Sequence, residues 1–360
     1  MTMGSSARRR DSGHAVRVLG HPAYSNRDAN PYNTLLSAAV MRTGAEVREF
    51  RVVDLARGWA DVWHLHWPEA VLRRRNRMRA TLALLRIVVL FAVARAWRTS
   101  IVWTVHNTKP HETQYPLLWR LLERLVVMNI DGWIALSDDA RGEVVSRLPR
   151  MASCPATVIL HGHYRDWYSR APSCSQARDD LGIADDSRVI LYFGLIRPYK
   201  NVPHLLRTFT SLQESDVMMI VAGDAKEPLA SEVATISASD DRIRFDQGFI
   251  PSSLVPRYFG AANLAVFPFT SILNSGSVIL ALSFNTPVLV PDSGSMNALR
   301  EAVGAPWVTQ FYGQLDAQDL KNALAAADQA RGEAPLQALA WEHIGPKTEQ
   351  FYRRVLKRKT

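Results

Sequence analysis

The sequence predicts an α/β protein of two domains, each built on a parallel β-sheet. Three observations support this prediction: the chain has 360 residues, short β-branched runs alternate with helical patterns, and the alternation restarts after a polar stretch at residues 165–178. A chain of this length exceeds what one hydrophobic core usually serves. Strands that alternate with helices are typical of βαβ units, in which successive strands lie parallel.

The predicted strands fall into two sets, which define the domain boundaries. The first set is Ala15–Leu19, Glu46–Phe50, Val62–His66, Ile101–Val105, Gly132–Leu136 and Ala156–Leu160. The second set is Val189–Phe193, Met218–Ala222, Ile243–Asp246, Leu264–Pro268 and Pro287–Pro291. We therefore expect a disordered lead at residues 1–14, a Rossmann-like domain at 15–168, a second one at 169–340 and a closing helix at 341–360.

The composition is that of a folded globular protein with an affinity for anions. Hydrophobic residues make up 47% of the chain, charged residues make up 21%, and the formal net charge is +9. This charge favours nucleic acid, acidic lipid or phosphorylated substrates as partners, and composition alone does not choose among them. The two cysteines, Cys154 and Cys174, form no CxxC pair or cluster with histidine, so we expect a cytoplasmic protein without disulfide or zinc site.

Two broad functions are excluded by missing motifs. A nucleic-acid-binding protein would interleave basic residues with exposed aromatic ones or carry a reading motif, and the sequence shows neither. A nicotinamide-dependent oxidoreductase would carry G-x-G-x-x-G after a strand, and no predicted strand is followed by it. The anionic partner is therefore expected to be a lipid or a phosphorylated substrate.

The segment from Arg73 to Arg98 is arginine-rich and apolar. Its apolar part, Leu82–Trp97, is interrupted by Arg86 and Arg95 and is shorter than the roughly 20 residues that a membrane span needs. A basic amphipathic helix lies in the headgroup plane and pairs its charges with anionic lipid. We expect this segment to bind an anionic membrane surface without crossing it; an ordinary crossover helix with an exposed basic face is the alternative.

Two loops of the second domain are suited to binding phosphate. Gly194, Arg197 and Lys200 follow its first strand, where the glycine permits close approach and the two cations can hold a diphosphate. A second loop leads into an apolar helix and exposes backbone N–H groups to phosphate oxygens. Its expected binding residues are Asn274, Ser275, Gly276 and Ser277. The alternative is that Asn274 or Ser275 only caps the helix.

These loops resemble those of the GT-B glycosyltransferases, especially the family 4-like branch. Gly194–Asn201 resembles the G-x-[IL]-R-x-x-K-[GN] motif, and Gly248–Phe267 and Ala281–Val290 resemble two further motifs of the family. The resemblance implies the GT-B fold, two Rossmann-like domains with parallel sheets facing a central cleft, and a nucleotide-sugar donor. It places Phe249 and Ile250 beside the nucleotide base, and the closing helix across the first domain.

One feature of that family is missing. Its usual pair of glutamates is replaced by Ile272 and Leu280, so the resemblance does not fix the stereochemistry or the ribose contact. A catalytically inactive GT-B scaffold is therefore an alternative.

The N-terminal half is similar to a narrower group. The phrases NPYNTLL, HLHWPE and TVHN, together with LNSG, resemble bacterial exopolysaccharide enzymes of the GDP-mannose:glycolipid β-1,4-mannosyltransferase kind. The resemblance implies an inverting transfer of a hexose, mannose from GDP-mannose, to a lipid-linked or polysaccharide acceptor at the cytoplasmic face of the plasma membrane. A transferase for UDP-glucose or UDP-glucuronate on the same fold stays open.

The polar residues after the N-terminal strands are candidates for the acceptor site and the catalytic base. Expected acceptor-binding residues are Asn30, Tyr32, His66, Trp67 and Asn107, with packing near the sheet edge as the alternative for His66 and Trp67. An inverting transfer needs a base for the acceptor hydroxyl. We expect Glu69, if its pKa is raised, or His106, since histidine titrates near neutrality.

Two further expectations concern the donor end of the cleft. His161 follows the last strand of the first domain and is expected to approach the donor, unless it only forms a turn. No DxD-type pair follows a predicted strand, so we expect no bound metal or cofactor, with basic side chains and helix dipoles in the charge role of a metal.

Overall fold

The computed structural model describes residues 14–107, 114–271 and 275–358. It contains two six-stranded parallel sheets with the strand orders β2-β1-β3-β4-β5-β6 and β12-β11-β10-β7-β8-β9. The predicted fold class, GT-B with two Rossmann-like domains facing a central cleft, is confirmed. The predicted lead lies outside the described residues except for His14.

The first sheet and its helices are formed by residues 17–158. Its strands are β1 (Arg17–His21), β2 (Glu46–Glu49), β3 (Val62–Leu65), β4 (Ser100–Val105), β5 (Gly132–Ala135) and β6 (Ala156–Val158). Its helices are α1 (Tyr32–Met41), α2 (Val52–Ala56), α3 (Arg77–Ala96), α4 (Pro116–Asn129) and α5 (Asp138–Arg147), with a 3₁₀ segment at Pro68–Leu72. Every residue of β3, β4 and β5 is buried, because helices cover both faces of a parallel sheet.

The second sheet is formed by residues 188–311. Its strands are β7 (Arg188–Phe193), β8 (Val217–Gly223), β9 (Ile243–Gln247), β10 (Leu264–Val266), β11 (Val288–Pro291) and β12 (Val308–Phe311). The helices are α6 (Cys174–Leu181), α7 (Val202–Thr210), α8 (Leu229–Ser237), α9 (Val255–Ala261), α10 (Gly276–Ser283), α11 (Gly294–Val303), α12 (Ala317–Ala327) and α13 (Trp341–Lys357). The sequence analysis missed β12, a sheet-edge strand whose burial does not alternate.

The last helix, α13, packs against α1 of the first domain. A Cβ atom on Gly345 would lie 2.4 Å from the Ala39 carbonyl oxygen, so the two helices approach as closely as a glycine allows. The Tyr352 hydroxyl lies 2.7 Å from Nδ1 of His64 in β3. At the other end of α13, Trp341 Nε1 donates a hydrogen bond to the His163 carbonyl oxygen at 2.6 Å. The helix therefore ties the end of the chain to the first sheet.

Two helical glycines give opposite predictions for substitution by alanine. Gly345→Ala should lower the free energy of unfolding by about 1–3 kcal/mol, because the new methyl group overpacks the contact with Ala39. Gly142→Ala in α5 should raise it by roughly 0.5–1 kcal/mol, because a Cβ atom there meets open space. Urea unfolding followed by tryptophan fluorescence measures both, and equal effects would contradict the close α1–α13 contact.

Candidate functional site

A cleft of about 810 Å³ lies between the two sheets, at the carboxyl ends of their strands. The structure brings together many of the residues that the sequence singled out. On the N-terminal side the cleft is lined by Asn30, Trp67 and Asn107. On the C-terminal side it is lined by Gly194, Lys200, Phe249, Ile250, Ser275, Gly276 and Ser277. Asn274, also predicted to bind the donor, lies outside the described residues.

Two glycines open the C-terminal side of the cleft. Gly194 directly follows β7 and Gly223 ends the adjacent strand β8, with φ angles of 124° and 158°. A Cβ atom on Gly223 would lie 1.9 Å from the Gly194 carbonyl oxygen, so this contact requires a glycine. A Cβ atom on Gly194 would lie 3.0 Å from Ser277 Oγ and 3.7 Å from Lys200 Nζ. The missing side chain of Gly194 therefore leaves a small space bordered by a hydroxyl and an ammonium group.

Lys200 is a buried cation in the wall of the cleft. Burial, and then the charge of Arg197, lowers the pKa of Lys200 to about 8. Its Nζ also lies 5.1 Å from the centre of the Phe269 ring. An anion that enters the cleft would restore the usual preference of this lysine for the charged form.

Arg197 lies behind the cleft wall. Its guanidinium donates hydrogen bonds to the carbonyl oxygens of Ile196, at 2.7 Å, and Asp224, at 3.2 Å. Arg197 Nη2 also lies 3.8 Å from Asp224 Oδ2. Asp224 itself lines the cleft. The predicted pair of cations is therefore arranged in two layers, with Lys200 in front and Arg197 behind.

The amino-terminal end of α10 faces the same space. Ser275 caps this helix, since its Oγ accepts a hydrogen bond from the Val278 N–H at 3.3 Å. Ser275, Gly276 and Ser277 all line the cleft as well, so the residue that caps the helix also borders the cleft. The first N–H groups of a helix have no partner within it and carry a partial positive charge.

Tyr164 connects the two sides of the cleft, and the sequence analysis missed it. Its hydroxyl lies 3.4 Å from both Asn30 Oδ1 and His161 Nε2. A Cβ atom on Gly276 would lie 3.0 Å from the same hydroxyl. His161 is buried beneath this contact, and burial lowers its pKa to about 4. His161, which the sequence predicted to approach the donor, thus supports Tyr164 as a neutral side chain. The only sequence signal for Tyr164 was its position two residues after Gly162.

A cluster of aromatic and histidine rings lies behind Trp67. The Trp67 ring stacks on His106 with centroids 4.2 Å apart, and His106 Nε2 lies 3.1 Å from His66 Nδ1. The Tyr32 ring meets His106 edge-on at 5.3 Å. Tyr32, His66 and His106 are therefore buried supports of the cleft wall.

This burial corrects one expectation about His106. Burial lowers the pKa of His106 well below its usual value, and His161 and His64 lower it further. Its titration near neutrality was predicted from the residue type alone, and that prediction is wrong because the side chain loses its contact with water.

Two carboxylates, Glu69 and Asp28, lie near the N-terminal side of the cleft, and only Glu69 was predicted as a candidate base. Glu69 lies in the first turn of the 3₁₀ segment, next to lining residues but outside the lining itself. Burial raises the pKa of its carboxyl, against a backbone hydrogen bond and the charge of Arg73. Asp28, on the loop after β1, lines the cleft from the N-terminal side. Its place after the first strand was the signal that could have identified it.

Comparison with known proteins identifies the family. Residues 187–328 match the family description "Glycosyl transferases group 1". The chain is 33% identical to the GDP-mannose:glycolipid 4-beta-D-mannosyltransferase of Xanthomonas campestris pv. campestris, over 95% of this chain and 93% of the relative. The chain belongs to the group 1 glycosyltransferases.

Solved structures share the fold of this glycosyltransferase. Sucrose-phosphate synthase from Thermosynechococcus elongatus matches with a TM-score of 0.67 and 16% identity, over 96% of this chain and 100% of that one. Anabaena HepE in complex with UDP-glucose matches with a TM-score of 0.64 and 16% identity, over 96% and 99%. At this identity the likeness describes the backbone architecture alone.

The donor side of this glycosyltransferase differs from the family 4 pattern where the glutamate pair is missing. Leu280, which replaces the second glutamate, lines the cleft from α10. The matching first position, Ile272, lies outside the described residues. In the part of the chain that the structure describes, no group of three His, Cys, Asp or Glu side chains could hold a metal ion. Metal-independent catalysis stays a prediction.

The position of Lys200 predicts pH-dependent binding of diphosphate to this glycosyltransferase. Inorganic pyrophosphate should raise the melting temperature more at about pH 7 than at about pH 9, because Lys200 is charged below its pKa and neutral above it. Differential scanning fluorimetry measures the shift.

Pyrophosphate itself also titrates, so matched variants are needed to show that the pH dependence comes from Lys200. Lys200→Met should show a smaller shift with little pH dependence, whereas Lys226→Met, which removes an exposed lysine of the same domain, should behave like the parent. An unchanged pH dependence in Lys200→Met would remove Lys200 from the anion site.

Proposed function

We propose that this glycosyltransferase transfers mannose from GDP-mannose to a lipid-linked glycan in cell-surface polysaccharide synthesis, as a peripheral protein on the cytoplasmic face of the plasma membrane. The observation that carries the proposal is the 33% identity, over 95% of the chain, to a protein named for this donor and a glycolipid acceptor. The cleft supports it, because a cationic donor side faces a polar and aromatic side.

The donor side supplies what a nucleoside diphosphate leaving group needs. Lys200 and the amino-terminal end of α10 place positive charge around the space left open by Gly194. Such preorganised charge stabilises the diphosphate as its bond to the sugar breaks. Phe249 and Ile250 line the same side, and the Phe249 side chain is 65% exposed, so a ring is available to cover the base. These residues perform the charge role without a metal.

The acceptor side supplies a candidate base. In an inverting transfer, the acceptor hydroxyl oxygen bonds to the anomeric carbon, the bond to the diphosphate breaks, and a base takes the hydroxyl proton. Asp28 is the first candidate, because it borders the cleft with an exposed carboxylate, 3.8 Å from Arg27 Nε. Glu69 is the second candidate, because burial raises the pKa of its carboxyl. His106 is disfavoured, because its Nε2 already lies 3.1 Å from His66 Nδ1.

Nucleotide selectivity tests the proposed donor. GDP and GDP-mannose should raise the melting temperature of the purified protein, while UDP, UDP-glucose and UDP-glucuronate should not, because a ligand that binds only the folded state stabilises it. A shift selective for UDP would replace the donor and favour the UDP-sugar transferase. Shifts with GDP-mannose but no turnover with any acceptor would favour the inactive scaffold.

Substitution of the carboxylates tests the base. Asp28→Asn should lower kcat by about 10²–10⁴-fold, the usual contribution of a general base, and leave GDP binding unchanged. Asp186→Asn, at an exposed carboxylate of the second domain, should leave both unchanged. If Glu69→Gln loses all turnover while Asp28→Asn stays active, Glu69 is the base.

The surface of α3 and α4 supports the proposed contact with a membrane. Large apolar side chains are exposed on α3 at Leu82, Leu85 and Val89, with 56–60% exposure and a spacing that places them on one face. The exposed apolar side chains of α4 are Leu117, Leu121 and Met128. Exposed arginines stand beside them at positions 77, 79, 86, 120 and 124. We call this surface the apolar–basic platform.

The platform is suited to the headgroup layer. Within residues 14–107, 114–271 and 275–358, no helix has the length and apolarity to span a bilayer. Apolar side chains flanked by arginines bind at the membrane surface, with about 1 kcal/mol for each basic residue near anionic lipid. The sequence predicted the α3 part of the platform. It did not predict the α4 part, because the exposed side chains of α4 are known only once its buried face is known.

Removal of the apolar stripe tests membrane binding. The triple variant Leu82→Ser, Leu85→Ser, Val89→Ser should lose most sedimentation with vesicles that contain phosphatidylglycerol, because its apolar face no longer enters the headgroup layer. The control Val52→Ser, Val53→Ser, Tyr312→Ser removes exposed apolar side chains outside the platform and should sediment like the parent. Equal sedimentation of both triple variants would refute the platform.

A further inference from the structure

Asp224 places a carboxylate in the cationic wall of the cleft. Among the described residues that line the C-terminal side of the cleft, it is the only aspartate or glutamate. It directly follows β8, and its side chain is 42% exposed. A carboxylate accepts hydrogen bonds and repels phosphate oxygens. Asp224 is therefore unsuited to the diphosphate and suited to a part of the ligand that donates N–H or O–H groups.

Backbone hydrogen bonds fix Asp224 between two loops of the cleft wall. Its carbonyl oxygen accepts a hydrogen bond at 2.8 Å from the Ile196 N–H, in the loop after β7. The carbonyl oxygen of the preceding Gly223 accepts one at 3.1 Å from the Gly248 N–H, in the loop after β9. Adjacent strands lie about 4.8 Å apart, so Asp224 is one strand spacing from the start of the loop that carries Phe249.

Arg197 supports the Asp224 carboxylate from behind. Its Nη1 donates to the carbonyl oxygens of Ile196 and Asp224, and its Nη2 lies 3.8 Å from Asp224 Oδ2. The Arg197 side chain is only 15% exposed, much less than the side chain of Asp224. The carboxylate, and not the guanidinium, is therefore the member of this pair that a ligand in the cleft meets.

Guanine is the base that matches a carboxylate best. Its N1–H and its 2-amino group are neighbouring donors on one edge, and the two oxygens of a carboxylate can accept from both. Uracil offers a single N3–H between two carbonyl oxygens, so a carboxylate at its edge faces two further acceptors. The exposed Phe249 ring can stack on the face of a base and leave the base edge directed at Asp224.

We propose that Asp224 binds the N1–H and 2-amino groups of guanine and so determines the preference for GDP over UDP. The proposal rests on the proposed function, because it assigns the base selectivity of that donor site to one side chain. Arg197 acts through Asp224 and is a positioning residue. Asp224 thus serves the base, while Lys200 and the amino-terminal end of α10 serve the diphosphate.

Calorimetric titration with three purine nucleoside diphosphates tests the proposal without using catalysis. The parent should bind GDP about tenfold or more tightly than inosine diphosphate, which lacks the 2-amino group and therefore one charge-assisted hydrogen bond. Xanthosine diphosphate should also bind weakly, because a carbonyl oxygen replaces that amino group and faces the carboxylate. Equal affinity of the parent for GDP and inosine diphosphate would overturn the proposal.

The variant Asp224→Asn should reverse the order of the two oxidised purines. The amide oxygen still accepts from N1–H, but Nδ2 now donates to the xanthine oxygen, so xanthosine diphosphate should bind more tightly than GDP. GDP itself should weaken by about tenfold or more. The control Asp292→Asn, at an exposed carboxylate that follows β11, should keep the order of the parent.

Two results in a folded Asp224→Asn variant would overturn the proposal. One is an unchanged preference for GDP over xanthosine diphosphate. The other is an equal weakening of all three nucleotides, which would mean that the carboxylate contacts another part of the ligand or only holds Arg197. If Asp224→Asn fails to fold, judged by its melting temperature, Asp224→Ser decides: it should lose the preference for GDP over inosine diphosphate, and a retained preference overturns the proposal.

The same titrations separate this proposal from the proposed donor. A parent that binds UDP but not GDP removes GDP-mannose as the donor, and the role of Asp224 with it. A parent that selects GDP over UDP, with the same selectivity in Asp224→Asn, keeps the donor and removes only the role of Asp224.

Discussion

The constraint on which the site depends is the burial of the Lys200 ammonium group. A buried cation is costly unless an opposite charge compensates it, and the lowered pKa of Lys200 expresses that cost. Two neighbours add to this cost: Arg197 brings like charge, and the amino-terminal end of α10 brings a partial positive charge. An anion bound in the space that Gly194 leaves open would offset this cost.

The two domains are held together around that space by contacts that are far apart in sequence. The Tyr164 N–H donates a hydrogen bond to Ser283 Oγ of α10, 119 residues away, and Tyr352 of α13 reaches His64 of β3 across 288 residues. The buried rings of His66, His106 and Tyr32 support Trp67 on the opposite wall. A small set of aromatic and histidine contacts therefore supports the walls of the cleft.

Most of the fold could be predicted from the sequence, because each β-branched run with its following helix is a local pattern. β12 was missed because Val308–Phe311 is a short edge strand whose side chains are not alternately buried. The place of Gly194 and Lys200 in the cleft wall was predictable for the same local reason, since their loop directly follows β7. The depth of His106 and the contacts of Tyr164 were not, because both depend on which distant elements pack around them. The exposed face of α4 likewise appears only once its buried face is known.

Transfer of labelled sugar is the most direct test of the central claim, that this cleft joins a nucleotide sugar to a lipid-linked acceptor. The purified protein would be incubated with GDP-[¹⁴C]mannose and a membrane lipid extract that contains diphosphate-linked glycans, and radioactivity in the organic phase would be counted. The account predicts that label from GDP-mannose enters the lipid fraction and that Lys200→Met abolishes most of this transfer. Label that enters the lipid only from UDP-glucose or UDP-glucuronate, or undiminished transfer by Lys200→Met, would contradict it.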